Sequence, residues 1–194
     1  RAWVSEELEP PMSDYPMAAK GTRKTRREGI VALAVVAGLT PPGADVMTTM
    51  HPLNLGADSE KGIAVMPPVI ETAAYPDYVS TVDWDGNETS GIRMPDVSVP
   101  VATHTGFNPR NPETGGIGQL LEYVGSTVPF AKDAAGREAT GDSRLSIAER
   151  YVGRDDYLTK VRSAAEDLVA KRHLLAADIE LCVELAAERY DICA

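Results

Sequence analysis

The chain has 194 residues and a net charge of −10; 43% of its residues are apolar and 25% are charged. This composition is that of an ordinary globular protein and excludes wholesale disorder. The acidic balance argues against a nucleic-acid partner and against attraction to an anionic membrane surface, because both need an excess of Lys and Arg.

The longest apolar stretch, residues 30–39, is about half as long as a membrane-spanning helix has to be. We therefore expect no membrane span and interpret the stretch as a buried strand or core-lining loop. It lies too far from the chain start to be a signal peptide. The chain begins with Arg1, which we take as a sign that upstream sequence was removed or left out. We expect a soluble protein, either cytoplasmic or exported.

The first 76 residues contain many prolines and few periodic patterns. Residues 1–8 have the apolar spacing of the last turns of a helix, which Pro10 and Pro11 end. The cations of residues 20–27 predict a solvated loop, because no glycine-rich phosphate cradle accompanies them.

A β-hairpin is the clearest local pattern in this part of the chain. Residues 78–84 alternate and are rich in β-branched and aromatic side chains, residues 85–88 supply a turn, and residues 89–94 are predicted to return as the second strand. Residues 97–103 alternate again but contain a proline, so we predict an edge strand or an irregular extension there.

All 14 prolines lie at or before Pro129, so we divide the chain into a loop- and strand-rich segment, 1–130, and a helical segment, 131–194. Ser146 and Glu149 have capping-box spacing, and helices are predicted at 155–171 and 177–190. Cys182 and Cys193 are too far apart on one helix for a disulfide, so we predict free thiols, one of them packed on the apolar face. The predicted buried positions are Tyr157, Leu158, Val161, Ala164, Ala165 and Leu168, followed by Leu181, Cys182, Leu185 and Ala186.

The sequence contains no motif typical of nucleophilic catalysis. The segment Gly125-Ser126-Thr127-Val128-Pro129 has a Gly-Ser pair but neither the second glycine nor the following helix of a nucleophile elbow, which argues against Ser126 as a nucleophile. Asp83 and Asp85 are predicted to lie on one side of the hairpin, where two acids are a solvated turn more often than a catalytic pair.

Metal and cofactor motifs are also missing from the sequence. His51, His104 and His173 are isolated from other ligand residues, so we expect no metal. The glycines at 115, 116 and 118 complete no dinucleotide or phosphate loop, so we expect a tight turn and no cofactor.

One loop, residues 103–110, is dense in functional groups at the end of a predicted strand, where binding sites are often built. Its imidazole could act as a general base or pocket donor, and its guanidinium could hold a carboxylate. We favour the alternative that these groups fix irregular backbone by hydrogen bonds. The candidate residues are His104, Thr105, Phe107, Asn108 and Arg110.

Several segments follow one another in an order that matches a known family: 75–76, 82–88, 91–95, 99–103, 105–108, 125–131 and 141–151. They resemble the C-terminal part of the large bacterial "alpha/beta hydrolase domain" proteins. The resemblance covers nearly the whole chain and is strongest from Tyr75 to Arg172. At two positions the chain departs from the family pattern, which has an aromatic residue at His104 and Trp at Phe107.

The resemblance implies an α/β fold in which this chain is the C-terminal part of an α/β-hydrolase-type structure. It also implies a serine-type ester or amide hydrolase whose Ser, acid and His lie in an N-terminal catalytic portion or partner chain, as a heterodimer or cleaved chain. This chain would complete the fold and line the active-site mouth, with Thr105, Phe107, Asn108 and Arg110 near a small ester or amide substrate. No catalytic residue is assigned within it, and His104 is a weak candidate.

Two other hypotheses remain. The first is a non-catalytic binding or scaffold protein that retains only this half of the fold. The second is a self-contained enzyme that uses His104, with Ser126 or an acid as helper, and loses activity on His104→Ala. We favour the hydrolase portion over both.

Overall fold

A computed structural model describes residues 23–25, 28, 36–37, 39, 43, 49–75, 78–121 and 123–194. The predicted helix at residues 1–8 and most of residues 20–27 and 30–39 lie outside these ranges. Within the apolar stretch, Val36 is buried and Leu39 is half-buried.

The described strands are short and pair in antiparallel twos. Residues 23–25 form one of them, so the predicted loop is wrong at these positions; the pairing partner lies more than fifty residues away, where local sequence gives no signal. The pairs are β1 (Arg23–Thr25) with β4 (Tyr78–Ser80), β2 (Leu53–Asn54) with β3 (Val69–Ile70), and β5 (Ala102–Thr105) with β6 (Ser126–Pro129).

The predicted hairpin forms only around its turn. Thr89 N donates to Thr81 O at 3.0 Å and Asp83 N donates to Asn87 O at 2.8 Å, but residues 90–94 do not continue as a strand. Gly91, with φ at +78°, takes the chain out of the extended conformation. The predicted second strand is therefore wrong beyond residue 89.

The segment 97–103, predicted as an edge strand or an irregular extension, begins instead within a short helix, α1 (Pro95–Ser98). Pro95 occupies a first-turn position, where its fixed φ suits a helix and its missing N–H costs no hydrogen bond. The extended part of the prediction is confirmed from Ala102, where β5 starts.

Helices dominate the C-terminal third, as predicted: α2 (Ala134–Thr140), α3 (Ile147–Arg150), α4 (Arg154–Ala170) and α5 (Ile179–Cys193). The capping box of Ser146 and Glu149 is present at the start of α3. In α4 the predicted stripe is confirmed, because Tyr157, Val161, Ala165 and Leu168 are buried. None of the helices in the described ranges is long and apolar enough to cross a membrane.

The predicted buried face of α5 is partly wrong. Leu181 and Leu185 are 53% and 48% exposed, whereas Ala186 and Cys193 are buried. Val183 and Tyr190 pack against the core beside them, so the helix presents a stripe rotated from the one we predicted. Both cysteines are free thiols, as predicted.

The main core lies where α4 and α5 meet the β5–β6 sheet. It is built from Val101 and Phe130 at the sheet and from Ile147, Tyr151, Tyr157, Val161, Ala186 and Cys193 of the helical segment. The Tyr157 ring packs edge-on against Tyr151 and stacks on Tyr190, with centroids 5.0 and 5.2 Å apart. The division at residue 130 stays a prediction. What the structure describes is a mixed α/β arrangement with short strands first and helices last.

Candidate functional site

The candidate loop starts at the end of the β5–β6 sheet. In this sheet His104 lies opposite Thr127 and Thr105 lies opposite Ser126. Two paired strands of four residues each are too short to hold a loop in place by themselves. The position of the loop therefore depends on the side chains that fix the two strands to the rest of the molecule.

Arg144 is the main anchor of these strands. It is 3% exposed, and its guanidinium donates to the Thr103 hydroxyl at 2.8 Å and to the carbonyl oxygens of Val128 and Pro129 at 3.0 and 3.2 Å. Asp142 accepts from Arg144 Nε at 2.9 Å and Nη2 at 2.6 Å. Burial opposes ionisation of the Asp142 carboxyl, but the Arg144 hydrogen bonds outweigh it and hold its pKa below the ordinary value.

A second set of bonds closes the base of the loop. The Phe107 carbonyl accepts hydrogen bonds from the hydroxyls of Thr105 at 2.6 Å and Ser126 at 2.9 Å. Gly125 lies so close to β5 that a Cβ on it would stand 2.1 Å from the Thr105 carbonyl oxygen. The loop base therefore requires a residue without a side chain at position 125.

Beyond this base the chain makes a narrow excursion. Arg110 N donates to Gln119 O and Leu121 N donates to Asn108 O, each at 2.9 Å. The tight turn predicted from the glycines at 115, 116 and 118 is confirmed, and a single turn of 3-10 helix, Pro112–Thr114, precedes it. The excursion thus presents residues 108–112 beside the end of β6.

A cavity of about 280 Å³, which we call the loop pocket, lies between this excursion and β6; the residues that line it include Leu39, Asn108, Arg110, Asn111, Ser126 and Val128. Of the five predicted site residues, Asn108 and Arg110 line it, while His104, Thr105 and Phe107 do not. Arg110 is exposed, and within the described ranges its guanidinium has no hydrogen-bond partner. The pocket can therefore offer a free cation and an amide to a carbonyl or carboxylate group.

His104 lies on the sheet next to the loop pocket, and its ring contacts the Thr127 hydroxyl. Its Nδ1 is 3.2 Å from Thr127 Oγ1, and its Nε2 is shielded from solvent without a partner among the described residues. Burial lowers the pKa of the imidazole from 6.5; Asp96 raises it and Arg189 lowers it through their charges. Its ring is therefore neutral at physiological pH and could accept a proton, although no carboxylate bonds to it in the described part of the chain.

The other sequence candidates are engaged in structural contacts. Ser126 Oγ donates to Phe107 O, not to an imidazole, and His51 Nδ1 lies 3.1 Å from the carbonyl of Glu71. Asp83 pairs with Arg93 at 2.6 Å, and Asp85 accepts a bidentate pair from Arg150. The two acids thus have separate arginine partners and do not act as a pair.

Sequence reasoning missed the Arg144–Asp142 anchor and the wall of the pocket formed by Asn111, Ser126 and Val128. The spacing of Asp142 and Arg144 was a usable signal, since a short-range Asp–Arg pair beside Ser146 could mark a fixed loop. In the described ranges no group of three or more His, Cys, Asp and Glu residues is placed to hold a metal ion.

Comparison with known proteins gives one family. A family model described as "Alpha/beta hydrolase domain" matches residues 1–184. No curated protein and no solved structure matches the chain.

Proposed function

This chain belongs to the alpha/beta hydrolase domain family, and from that premise we propose that it is the C-terminal chain or portion of a serine-type ester or amide hydrolase. In this proposal the loop pocket holds part of the substrate at the active-site mouth. The nucleophilic serine, the acid and the histidine come from an upstream portion or a partner chain. The family match over residues 1–184 is the observation that carries the proposal.

The hydrogen bonds and ion pairs of the nearby serine and aspartate side chains support a nucleophile outside residues 1–194. A serine nucleophile needs a histidine in hydrogen-bond reach and an acid that orients the histidine. Ser126 instead gives its proton to a backbone carbonyl, and the acids Asp83, Asp85, Asp96 and Asp142 are each paired with an arginine. These contacts stabilise the fold, and among the described residues none of the four acids bonds to a histidine.

The loop pocket supplies what a mouth subsite needs. The Arg110 guanidinium can hold a carboxylate or carbonyl oxygen of a substrate, and the Asn108 amide, whose Nδ2 is 3.4 Å from Gly125 O, can add a second polar contact. Leu39 and Val128 add apolar surface to the same pocket. Such a mixed lining suits a small ester or amide with one polar and one apolar side.

Exposed apolar side chains support a covering partner. In residues 49–78, Met66 is 83% exposed, Ile70 66% and Ile63 64%, and the two-stranded β2–β3 sheet has no buried face. An isolated two-stranded sheet is marginally stable in water, and large apolar patches commonly mark interfaces. We propose that the catalytic portion of the hydrolase covers this segment.

The proposed function is tested by hydrolysis of p-nitrophenyl esters and anilides by the assembled protein that contains this chain. We expect Arg110→Gln to raise KM by about fivefold for substrates that carry a carboxylate, with kcat nearly unchanged, because it removes a binding contact and no reacting group. The control is Arg162→Gln, which breaks a surface ion pair with Glu180 between α4 and α5. We expect its kinetics to match the wild type.

Absence of hydrolysis by every preparation that contains this chain would overturn the proposal in favour of the scaffold hypothesis. Equal KM values for Arg110→Gln and the wild type would show that the loop pocket is not part of the active-site mouth. Activity of this chain alone that is lost on His104→Ala would support the self-contained enzyme and contradict the assignment of the nucleophile to another portion.

A further inference from the structure

The loop pocket has two adjacent residues that are free to donate hydrogen bonds. Asn111 Oδ1 accepts from Glu113 N at 2.9 Å, so the NH2 group of the same amide is left for a ligand. The guanidinium of Arg110 has no hydrogen-bond partner in the part of the chain that the structure describes. We call Arg110 and Asn111 the donor side of the pocket; their combined groups suit a carboxylate.

The stem of Arg110 lies against the turn that ends the excursion. A Cβ on Gly116 would stand 3.0 Å from Arg110 Cδ, and Gly116 has φ at +68°. The stem therefore packs on a position that carries no side chain. Because this contact restricts the stem before any ligand arrives, less side-chain entropy is lost when the guanidinium binds.

Two other lining residues, Asn108 and Ser126, are free to accept hydrogen bonds. Asn108 Nδ2 lies 3.4 Å from Gly125 O, which leaves Oδ1 as the free end of this amide. Ser126 Oγ gives its proton to Phe107 O at 2.9 Å and keeps its lone pairs. We call Asn108 and Ser126 the acceptor side; it lies at the loop base and needs an N–H or O–H group on the ligand.

A ligand that complements both sides carries a carboxylate and, a short distance away, an N–H group. A plain carboxylate would use the donor side alone. An ester that carries a carboxylate would present an oxygen where an amide presents its N–H, and lone pairs would then face the acceptor side. Leu39 and Val128 give the pocket apolar surface as well, which water does not complement but an aliphatic side chain does.

From this arrangement we propose that the loop pocket binds the amino-acid portion of an N-acyl amino acid, with the carboxylate on the donor side and the amide N–H on the acceptor side. The inference rests on the proposed function and narrows its substrate from esters and amides to amides that carry a carboxylate. Hydrolysis breaks the amide C–N bond and forms a C–O bond. Water supplies the hydroxyl to the acyl carbon and the proton to the amine, and the products are a carboxylic acid and a free amino acid.

The test is a calorimetric titration of the assembled protein that contains this chain with two matched ligands, N-(butylsulfonyl)glycine and 3-(butylsulfonyl)propanoate. The two share the carboxylate and the butyl group and differ in one N–H that is replaced by CH2. Neither has an acyl carbonyl that a nucleophile could attack, so binding is measured without turnover. We expect the Kd of the propanoate to be about fivefold higher, the effect of one lost hydrogen bond in a partly exposed site.

Variants of the two sides are expected to behave differently. Asn108→Ala removes the acceptor and should bring the two Kd values together. Arg110→Gln should raise both Kd values by about fivefold and keep their ratio, because both ligands carry the carboxylate. The control is Asn54→Ala, which removes an amide that bonds to Gly56 N outside the pocket and should change neither Kd. Thermal unfolding of each variant identifies loss of fold.

Three results would overturn the inference: no binding of either ligand, equal Kd values for the two ligands in the wild type, or a preference for the glycine ligand that is unchanged in Asn108→Ala. Ester and anilide hydrolysis together with any of these results would leave the proposed function standing without this substrate class. The expected binding pattern in a protein that hydrolyses nothing would instead contradict the proposed function and support the ligand class of the pocket.

Discussion

At the scale of single residues, buried charges of this chain hold backbone in place. Arg144 bonds to Thr103, Val128 and Pro129 and is balanced by Asp142. The Arg144 guanidinium also packs on an aromatic ring, since its carbon lies 5.0 Å from the centroid of the Phe130 ring. The loop pocket and the core therefore depend on the same arginine.

We predict that Arg144→Met destabilises the protein by about 3–5 kcal/mol, because it leaves the Asp142 carboxylate buried without its partner. Urea unfolding followed by circular dichroism measures the change. The control is Arg154→Met, which breaks the exposed ion pair with Asp191 and is expected to leave the midpoint unchanged. Equal midpoints for the two variants would contradict the role of Arg144 as an anchor.

His104 gives a prediction for pH dependence. Burial holds the pKa of the folded imidazole below 6.5, its ordinary value in an unfolded chain, so the unfolded state binds more protons below that pH. The contribution of the neutral ring to stability is present above pH 6.5 and is lost as the pH falls through the folded pKa.

The free energy of unfolding, measured by urea titration between about pH 8 and pH 5, is therefore expected to fall less steeply in His104→Gln than in the wild type. The same slope in both proteins would show that His104 is not shielded as the structure describes.

At the scale of elements, the join between β5 and β6 depends on Gly125. We predict that Gly125→Ala destabilises the protein by roughly 1–3 kcal/mol, the usual cost of an overpacked position, because its Cβ meets the Thr105 carbonyl. Gly106→Ala is the matched control in the same loop, since no atom lies within 4 Å of a Cβ there. Similar unfolding midpoints for the two variants would contradict the close approach at residue 125.

The sequence predicts elements best where local patterns decide them. The α4 stripe and the capping box of α3 follow from residues within one or two turns. In α5 the apolar residues are spread around much of the helix, so packing against Tyr157 and Val161 decides which face is buried. The partner of β1 lies in β4, and no local pattern predicts such a pairing.

The same limit applies to the candidate site. The sequence singled out a dense polar loop at a strand end, and the family resemblance implied Thr105, Phe107, Asn108 and Arg110 as substrate-binding residues; the structure brings Asn108 and Arg110 of these to one pocket. Their pocket is completed by Ser126 and Val128, which come from the neighbouring strand. That strand pairing decides which polar groups of the loop bond to the backbone, as Thr105 does. It also decides which groups have no partner among the described residues, as Arg110 does.

At the scale of the whole molecule, large apolar side chains remain exposed outside the core. Trp84 is 94% exposed and Val152 is 99% exposed; both lie near Arg150, which joins their segments through Asp85. Like the exposed apolar side chains of the β2–β3 segment, they are available to the catalytic portion that we propose as a partner. Membership of the hydrolase family, the engaged Ser126 and these exposed side chains are consistent with one account, in which the nucleophile lies outside these residues.

Intact-mass spectrometry after reaction of the assembled protein with a fluorophosphonate serine probe tests this account most directly. The probe forms a covalent adduct with an activated serine, so the adduct locates the nucleophile. The account predicts an adduct on a serine outside these 194 residues and an unmodified mass for them. An adduct within them, mapped by peptide sequencing to Ser126 or another serine, would contradict it.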